Sequence, residues 1–117
     1  MPSSGLDGPW ILNVDTIDKV VTRTLPGAYA LGKLENNTFY ISYVGRADID
    51  VNGRLKDWVG KYAQFKFGYY QSPKAAFEKE CELYHLFGET KLDNKIHPDR
   101  PKNADWRCPH CNCFDNP

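Results

Sequence analysis

Gly27-Ala28-Tyr29-Ala30-Leu31-Gly32-Lys33-Leu34-Glu35-Asn36-Asn37-Thr38-Phe39-Tyr40-Ile41-Ser42-Tyr43-Val44-Gly45 contains two strand-like runs around a polar turn. Aromatic and β-branched residues favour extended backbone, and Glu35-Asn36-Asn37 supplies the residues that tolerate a tight reversal. The natural reading is a β-hairpin. Strict alternation places Phe39, Ile41 and Tyr43 on one face of its second strand and Tyr40, Ser42 and Val44 on the other.

Working outward from the hairpin, Arg46-Ala47-Asp48-Ile49-Asp50 reads as a loop. A helix follows from about Val51 to Val59, with Leu55, Trp58, Val59 and, at its start, Val51 as the candidates to face the core and Gly60 as its stop. Phe65-Lys66-Phe67-Gly68-Tyr69-Tyr70 reads as a third strand. Ser72 then offers an N-cap, Pro73 suits the first helical position, and Gly88 fits just past the helix end. Upstream, residues 1–9 look loose, and Ile11, Val14, Ile17, Val20 and Val21 suggest a short helix or an extended cover. The order is β-β-α-β-α. It predicts a small α+β domain, a three-stranded antiparallel sheet flanked by helices, with a Cys-rich C-terminal tail. The expected divisions are an N-terminal extension at 1–24, the domain at 25–97 and the tail at 98–117.

The 117 residues suit one domain with a modest core, and Lys plus Arg balance Asp plus Glu at 15 each. That balance argues against a strongly basic, non-specific nucleic-acid binder but leaves room for a local basic face. No signal peptide or membrane span is legible, so a cytoplasmic protein is the expectation.

The Ser72–Gly88 helix carries Glu78, Glu80 and Glu82. At 100° per residue these cannot share a face. Glu80 falls within about 60° of Ala76, Phe77, Leu83, Tyr84 and Phe87, whereas Glu78 and Glu82 fall beside lysines on the opposite side. A carboxylate on an apolar stripe is costly unless it is paired, protonated or metal-bound. The plain alternative is a salt bridge to a neighbouring Arg; the chemical one is a site.

Gly27-Ala28-Tyr29 and Tyr43-Val44-Gly45 on one hairpin, Arg54 on the next helix, Glu80 on the later helix and Asn94 beyond it form an ordered set. Over about residues 25 to 95 this set resembles the GIY-YIG nuclease family, and β-β-α-β-α agrees with that family's core. The resemblance implies that Tyr29 places or activates the attacking water and that Tyr43 hydrogen-bonds into the same site. It further implies that Arg54 neutralises the scissile phosphate, Glu80 anchors one divalent cation (Mg²⁺ or Mn²⁺), and Asn94 braces the site. Ala28 stands where the family usually has Ile or Val. Trp58 stands where many members carry a His one turn after the Arg. Tyrosine is a poor base unless cations lower its pKa, and Arg46, Arg54 and the metal are the candidates for that.

Taken singly, each of these residues has a plain structural reading. Tyr29 and Tyr43 would be half-buried strand aromatics, Arg54 a surface helix residue and Asn94 a turn residue. Arg46, Lys56 and Lys61, interleaved with Trp58 and Tyr62, are candidate DNA contacts or simply a solvated basic face.

The tail holds Cys108-Pro109-His110-Cys111-Asn112-Cys113. Cys108 and Cys111 have the spacing of half a zinc site, and Cys81 and His85 lie one turn apart on the Glu80 helix. Together they make a candidate Cys₃His structural Zn²⁺ site, with His97, His110 and Cys113 as rivals. Free thiols, with Cys81 as a small core residue, are the alternative. The leading functional reading is a divalent-metal-dependent DNA endonuclease. Its rival is a weak or inactive nucleic-acid-binding or protein-interaction module of the same fold.

Overall fold

A computed structural model describes residues 5–87 together with Leu92, Asp93, Trp106 and Cys108. In chain order the elements are β1 (Asp7–Ile11), α1 (Val14–Val20), β2 (Gly27–Glu35), β3 (Thr38–Ala47), α2 (Val51–Lys56), β4 (Gln64–Tyr69) and α3 (Pro73–Leu86). The strands form one antiparallel sheet in the order β1-β4-β2-β3. The α+β class holds, but the sheet has four strands and not three.

The extra strand begins in the segment read as loose and runs on through Trp10 and Ile11, where a short helix or an extended cover is expected. Asp7 pairs with Phe67, Trp10 with Phe65 and Ile11 with Gln64. Its alternation is too short to read in sequence, yet β4 would otherwise present an open edge of unpaired amides and carbonyls. Trp10 seals the pairing with its ring 5.9 Å from Phe65 and 5.6 Å from Phe67. A helix does follow, capped by Asn13, whose Oδ1 accepts from the Thr16 amide at 2.7 Å.

The hairpin turns at Asn36 and Asn37, with φ of 52° and 63°, the left-handed pair that a two-residue hairpin turn needs. Its alternation is broken once. The register slips between Leu31 and Gly32, so Leu31 pairs with Tyr43 but Gly32 with Ile41. Ser42 is the extra residue, and the bulge reverses the phase of the strand. Phe39 and Ile41 therefore pack with Val44 under α3, while Tyr43 joins the opposite face. The expected grouping of Phe39, Ile41 and Tyr43 fails for that reason.

One face of the sheet, through Tyr29, Leu31, Phe65 and Phe67, packs on Ile17 of α1 and on Val51 and Leu55 of α2. The other, through Ala28, Ala30 and Val44, packs on Leu83 of α3 and on Leu92. The small residues of β2 let α3 approach closely, and each large side chain fully buried between the layers contributes ~1.5–3 kcal/mol. Helix α2 ends at Lys56, short of Val59, with Asp57 at its C-cap. The chain then leaves by tight turns, Trp58 amide to Leu55 carbonyl and Lys61 amide to Trp58 carbonyl. Trp58 is thereby released from the helix. Among the described residues no helix is long and apolar enough to cross a membrane.

Candidate functional site

Strand β3 is an edge strand, and a cleft of about 290 Å³ opens along it. Its lining is Tyr29, Tyr43, Gly45, Arg46, Asp48, Arg54, Trp58 and Glu80. Tyr29 and Tyr43 come from the α1/α2 face and Glu80 from α3 on the other. Gly45 is what lets the two faces meet. It pairs with Tyr29 across the ladder, and a β-carbon there would lie 2.5 Å from Tyr29 Cζ and Oη. The ring crosses the strand where a side chain is missing.

Tyr29 is almost fully buried, and its hydroxyl accepts a hydrogen bond from Trp58 Nε1 at 2.9 Å. Burial pushes its pKa far above the ordinary tyrosine value; Trp58 and Arg54 pull the other way without offsetting it. Arg54 does not lower the pKa far enough to make Tyr29 a base. Tyr43 is likewise raised, first by burial and then by Glu80. Its ring lies 4.5 Å from that of Trp58. Trp58 thus binds both tyrosines into one wall, a role its identity alone did not disclose.

Helix α3 starts as read. Ser72 Oγ accepts from the Ala75 amide at 3.1 Å and Pro73 takes the first turn. Gly88, assigned as its stop, lies outside the described residues, and Phe87 closes the helix by donating its amide to the Leu83 carbonyl at 3.0 Å. Glu80 is 8% exposed, whereas Glu78 and Glu82 are half-buried, with Glu82 paired to Lys79. The wheel picked out the buried glutamate of the three.

Glu80 is not alone. Arg46 Nη1 donates to Glu80 Oε1 at 2.8 Å and Arg46 Nε to Asp48 Oδ1 at 2.8 Å, with the guanidinium 5.1 Å over the Phe77 ring. The plain reading of Glu80, a salt bridge to a nearby Arg, is therefore realised. Arg46 was read as a loop residue contacting DNA, but it belongs to β3 and its guanidinium is engaged inside the protein. Burial pushes the Glu80 carboxyl up to about 7, and Arg46 only partly opposes it. For Arg46, burial works against the charge, but Asp48 and Glu80 outweigh it and hold the guanidinium protonated. Asp48, a second carboxylate at the mouth of the cleft, was not singled out in the sequence; its place beside Arg46 follows from the strand running on to Ala47.

Arg54 also lines the cleft, but its side chain is 56% exposed and forms a loose ion pair with Asp57 at 3.7 Å. It is the cation here that can reach a ligand at little cost. Lys56 does not line the cleft; it pairs with Asp18 of α1 at 2.7 Å. Lys61 sits 5.6 Å over the Trp58 ring, at the outer side of the aromatic wall. Tyr62 extends that wall and donates to Asp93, whose own amide reaches the Ser42 carbonyl at the bulge.

A hard oxygen donor at the base of an open polar cleft, with a second carboxylate near its mouth and space for waters, suits Mg²⁺ or Mn²⁺. Arg46, however, engages both carboxylates. Asn94 and Cys111 lie outside the described residues. Among those described, no three His, Cys, Asp or Glu side chains gather as a metal cage, so Cys81, His85 and Cys108 do not form one by themselves. No family model, curated protein or solved structure matches this chain.

Proposed function

We propose that the chain is a divalent-metal-dependent endonuclease that hydrolyses phosphodiester bonds in DNA, resembling the GIY-YIG family. The observation that carries this reading is the convergence of Tyr29, Tyr43, Arg54 and Glu80, from four separate elements, on one cleft. Each of these residues has a bland explanation alone. A buried carboxylate, two tyrosines and an exposed guanidinium in one recess have a joint chemical use.

Arg54 receives the scissile phosphate and offsets its charge. Tyr29, protonated and held by Trp58, orders the attacking water and does not abstract its proton; Tyr43 fixes the other side of the recess. Glu80 is the residue that would hold Mg²⁺ or Mn²⁺, whose chemistry is to neutralise the phosphoryl and leaving oxygens. Arg46, released from Glu80, becomes a second phosphate ligand beside Arg54. Asn94 is retained as a bracing residue on the resemblance alone.

One observation favours the rival reading, a nucleic-acid-binding or protein-interaction module without turnover. Arg46 occupies the carboxylate that catalysis requires. Plasmid nicking with Mg²⁺ or Mn²⁺ separates the two. The wild type nicks, and Arg54→Ala and Glu80→Gln each lower the rate by two orders of magnitude or more, on the order of a lost transition-state donor. Cleavage that survives both substitutions sinks the nuclease, and DNA binding with no cleavage by the wild type establishes the rival.

A further inference from the structure

Few of the basic side chains described around the cleft are left for a nucleic-acid backbone. Arg46 is taken up by Asp48 and Glu80, and Lys56 by Asp18. Arg54 and Lys61 are exposed and within reach of a ligand. Arg54, however, has acidic neighbours: Asp48, Asp50 and Asp57 line a recess that adjoins the cleft and shares Arg54 with it. A duplex brings two phosphate backbones to such a surface, and its affinity grows with the number of phosphates neutralised. Two cations beside three carboxylates make a poor grip on a double strand.

The aromatic wall offers the other kind of contact. Trp58 is half-buried and lines the cleft together with Arg54. Its indole is fixed twice, by the Nε1 hydrogen bond to Tyr29 at 2.9 Å and by the Tyr43 ring at 4.5 Å. Tyr62 continues the wall, its ring 6.0 Å from the indole. Lys61 lies 5.6 Å over the same indole and is itself an exposed, flexible side chain, so the face it covers is reached from solvent. An indole already held in place loses little rotamer freedom when a base settles on it, and every base has a π-face to offer.

We infer that the cleft takes an unpaired stretch of DNA, one base stacking on Trp58 while the adjoining phosphate sits on Arg54. The inference rests on the reading that the cleft receives a DNA phosphate, and it adds the form of the strand that brings it. The base replaces Lys61 on the indole, and the displaced ammonium turns to the next phosphate. In a duplex each base is already stacked between its neighbours, so the π-face that Trp58 requires is hidden. Selectivity for unpaired DNA thus comes from stacking combined with few phosphate contacts, and it holds with or without cleavage.

The test is equilibrium binding by fluorescence anisotropy in EDTA, which prevents metal-dependent cleavage. One labelled oligonucleotide is used alone and annealed to its complement. The single strand should bind at least about tenfold more tightly than the blunt duplex. Its log K against log salt should have a shallow slope of about −1.4, from two phosphate contacts at ~0.7 each, and Lys61→Ala should flatten it to about −0.7. Trp58→Leu should lose roughly tenfold in single-strand affinity and Trp58→Phe much less, because a phenyl ring still stacks. An equal loss in both would mean that Trp58 acts only by holding Tyr29, and overturns the stacking. Wild-type tryptophan fluorescence should also fall as the single strand binds, and that drop should be absent from Trp58→Phe, which serves even if Trp58→Leu fails to fold. Equal affinity for the two forms of DNA, or an unchanged tryptophan signal, overturns the inference and leaves the nuclease reading standing. Binding of neither form overturns it as well, and plasmid nicking by the same protein then decides whether the reading of the cleft falls with it.

Discussion

The ring of Tyr29 fills the volume that a side chain at Gly45 would take, the would-be β-carbon lying 2.5 Å from both Cζ and Oη. Gly45 is buried, and Tyr29 is its partner across the ladder. Neither the strand backbone nor a ring held by Trp58 has an easy way to yield. Gly45→Ala should therefore cost ~1–3 kcal/mol, the range for overpacking a filled core, and displace the hydroxyl from the cleft. Urea unfolding checks the cost. Adding Tyr29→Ala to Gly45→Ala should make the pair of changes cost less than the sum of the two alone, and simple additivity would mean that the contact is not what constrains position 45.

Trp58→Phe tests the hydrogen bond that orients Tyr29. Phenylalanine preserves an aromatic ring beside Tyr43 but removes the Nε1–H that reaches Tyr29 at 2.9 Å. A neutral hydrogen bond of this kind is worth ~0.5–1.5 kcal/mol. The free energy of unfolding in urea should fall by that amount, and nicking should drop up to about tenfold through loss of alignment. An unchanged midpoint together with unchanged nicking would show that Trp58 acts only as packing.

The hairpin, α3 and the choice of Glu80 were all legible because each rests on a local periodicity or a cap. Period-two alternation marks β2 and β3, and Ser72-Pro73 marks the start of α3. The unread parts depend on partners distant in sequence. β1 exists because β4 needs an edge partner, which no local pattern states. The bulge at Ser42 inverts the phase of β3 through a single extra residue and so moved Tyr43 to the face where the cleft forms. Arg46 could be foreseen as a cation but not as the counter-ion of Glu80, since that pairing spans a strand and a helix and is fixed only by their packing. Trp58, a departure from the resembled pattern, became informative only once its indole nitrogen could be seen to reach Tyr29.

Glu80 gives the protein a pH dependence whose sign is determined by burial. The unfolded chain releases this proton near the ordinary value of 4.5, and the folded protein holds it up to about 7. Between those values the native state binds more protons than the unfolded state, so stability falls as pH rises, and it is level on either side. At ~1.4 kcal/mol per pKa unit the loss is at most about 3 kcal/mol. Glu80→Gln should abolish that slope, so the variant gains on the wild type from pH 4.5 to 7 in urea titrations. Nicking moves the opposite way, rising through pH 7 as the carboxylate ionises. Parallel pH profiles for the wild type and Glu80→Gln would remove Glu80 as the titrating group.

Arg46→Gln separates the two uses of Glu80. Without the guanidinium a buried carboxylate loses its counter-ion, a change worth ~3–5 kcal/mol where the acid is ionised. The destabilisation should accordingly be large at pH 8 and small at pH 5, where Glu80 is protonated. Glutamine also leaves the carboxylate open to another cation. Millimolar Mg²⁺ should then raise the melting temperature of Arg46→Gln more than that of the wild type, because in the wild type the ion must first displace Arg46, and anything that binds only the folded state stabilises it in proportion to its occupancy. The same comparison in Arg46→Gln/Glu80→Gln should show no Mg²⁺ effect. An equal rise in all three proteins would place the cation somewhere other than Glu80, and the Arg46–Glu80 pair would then be a structural bridge.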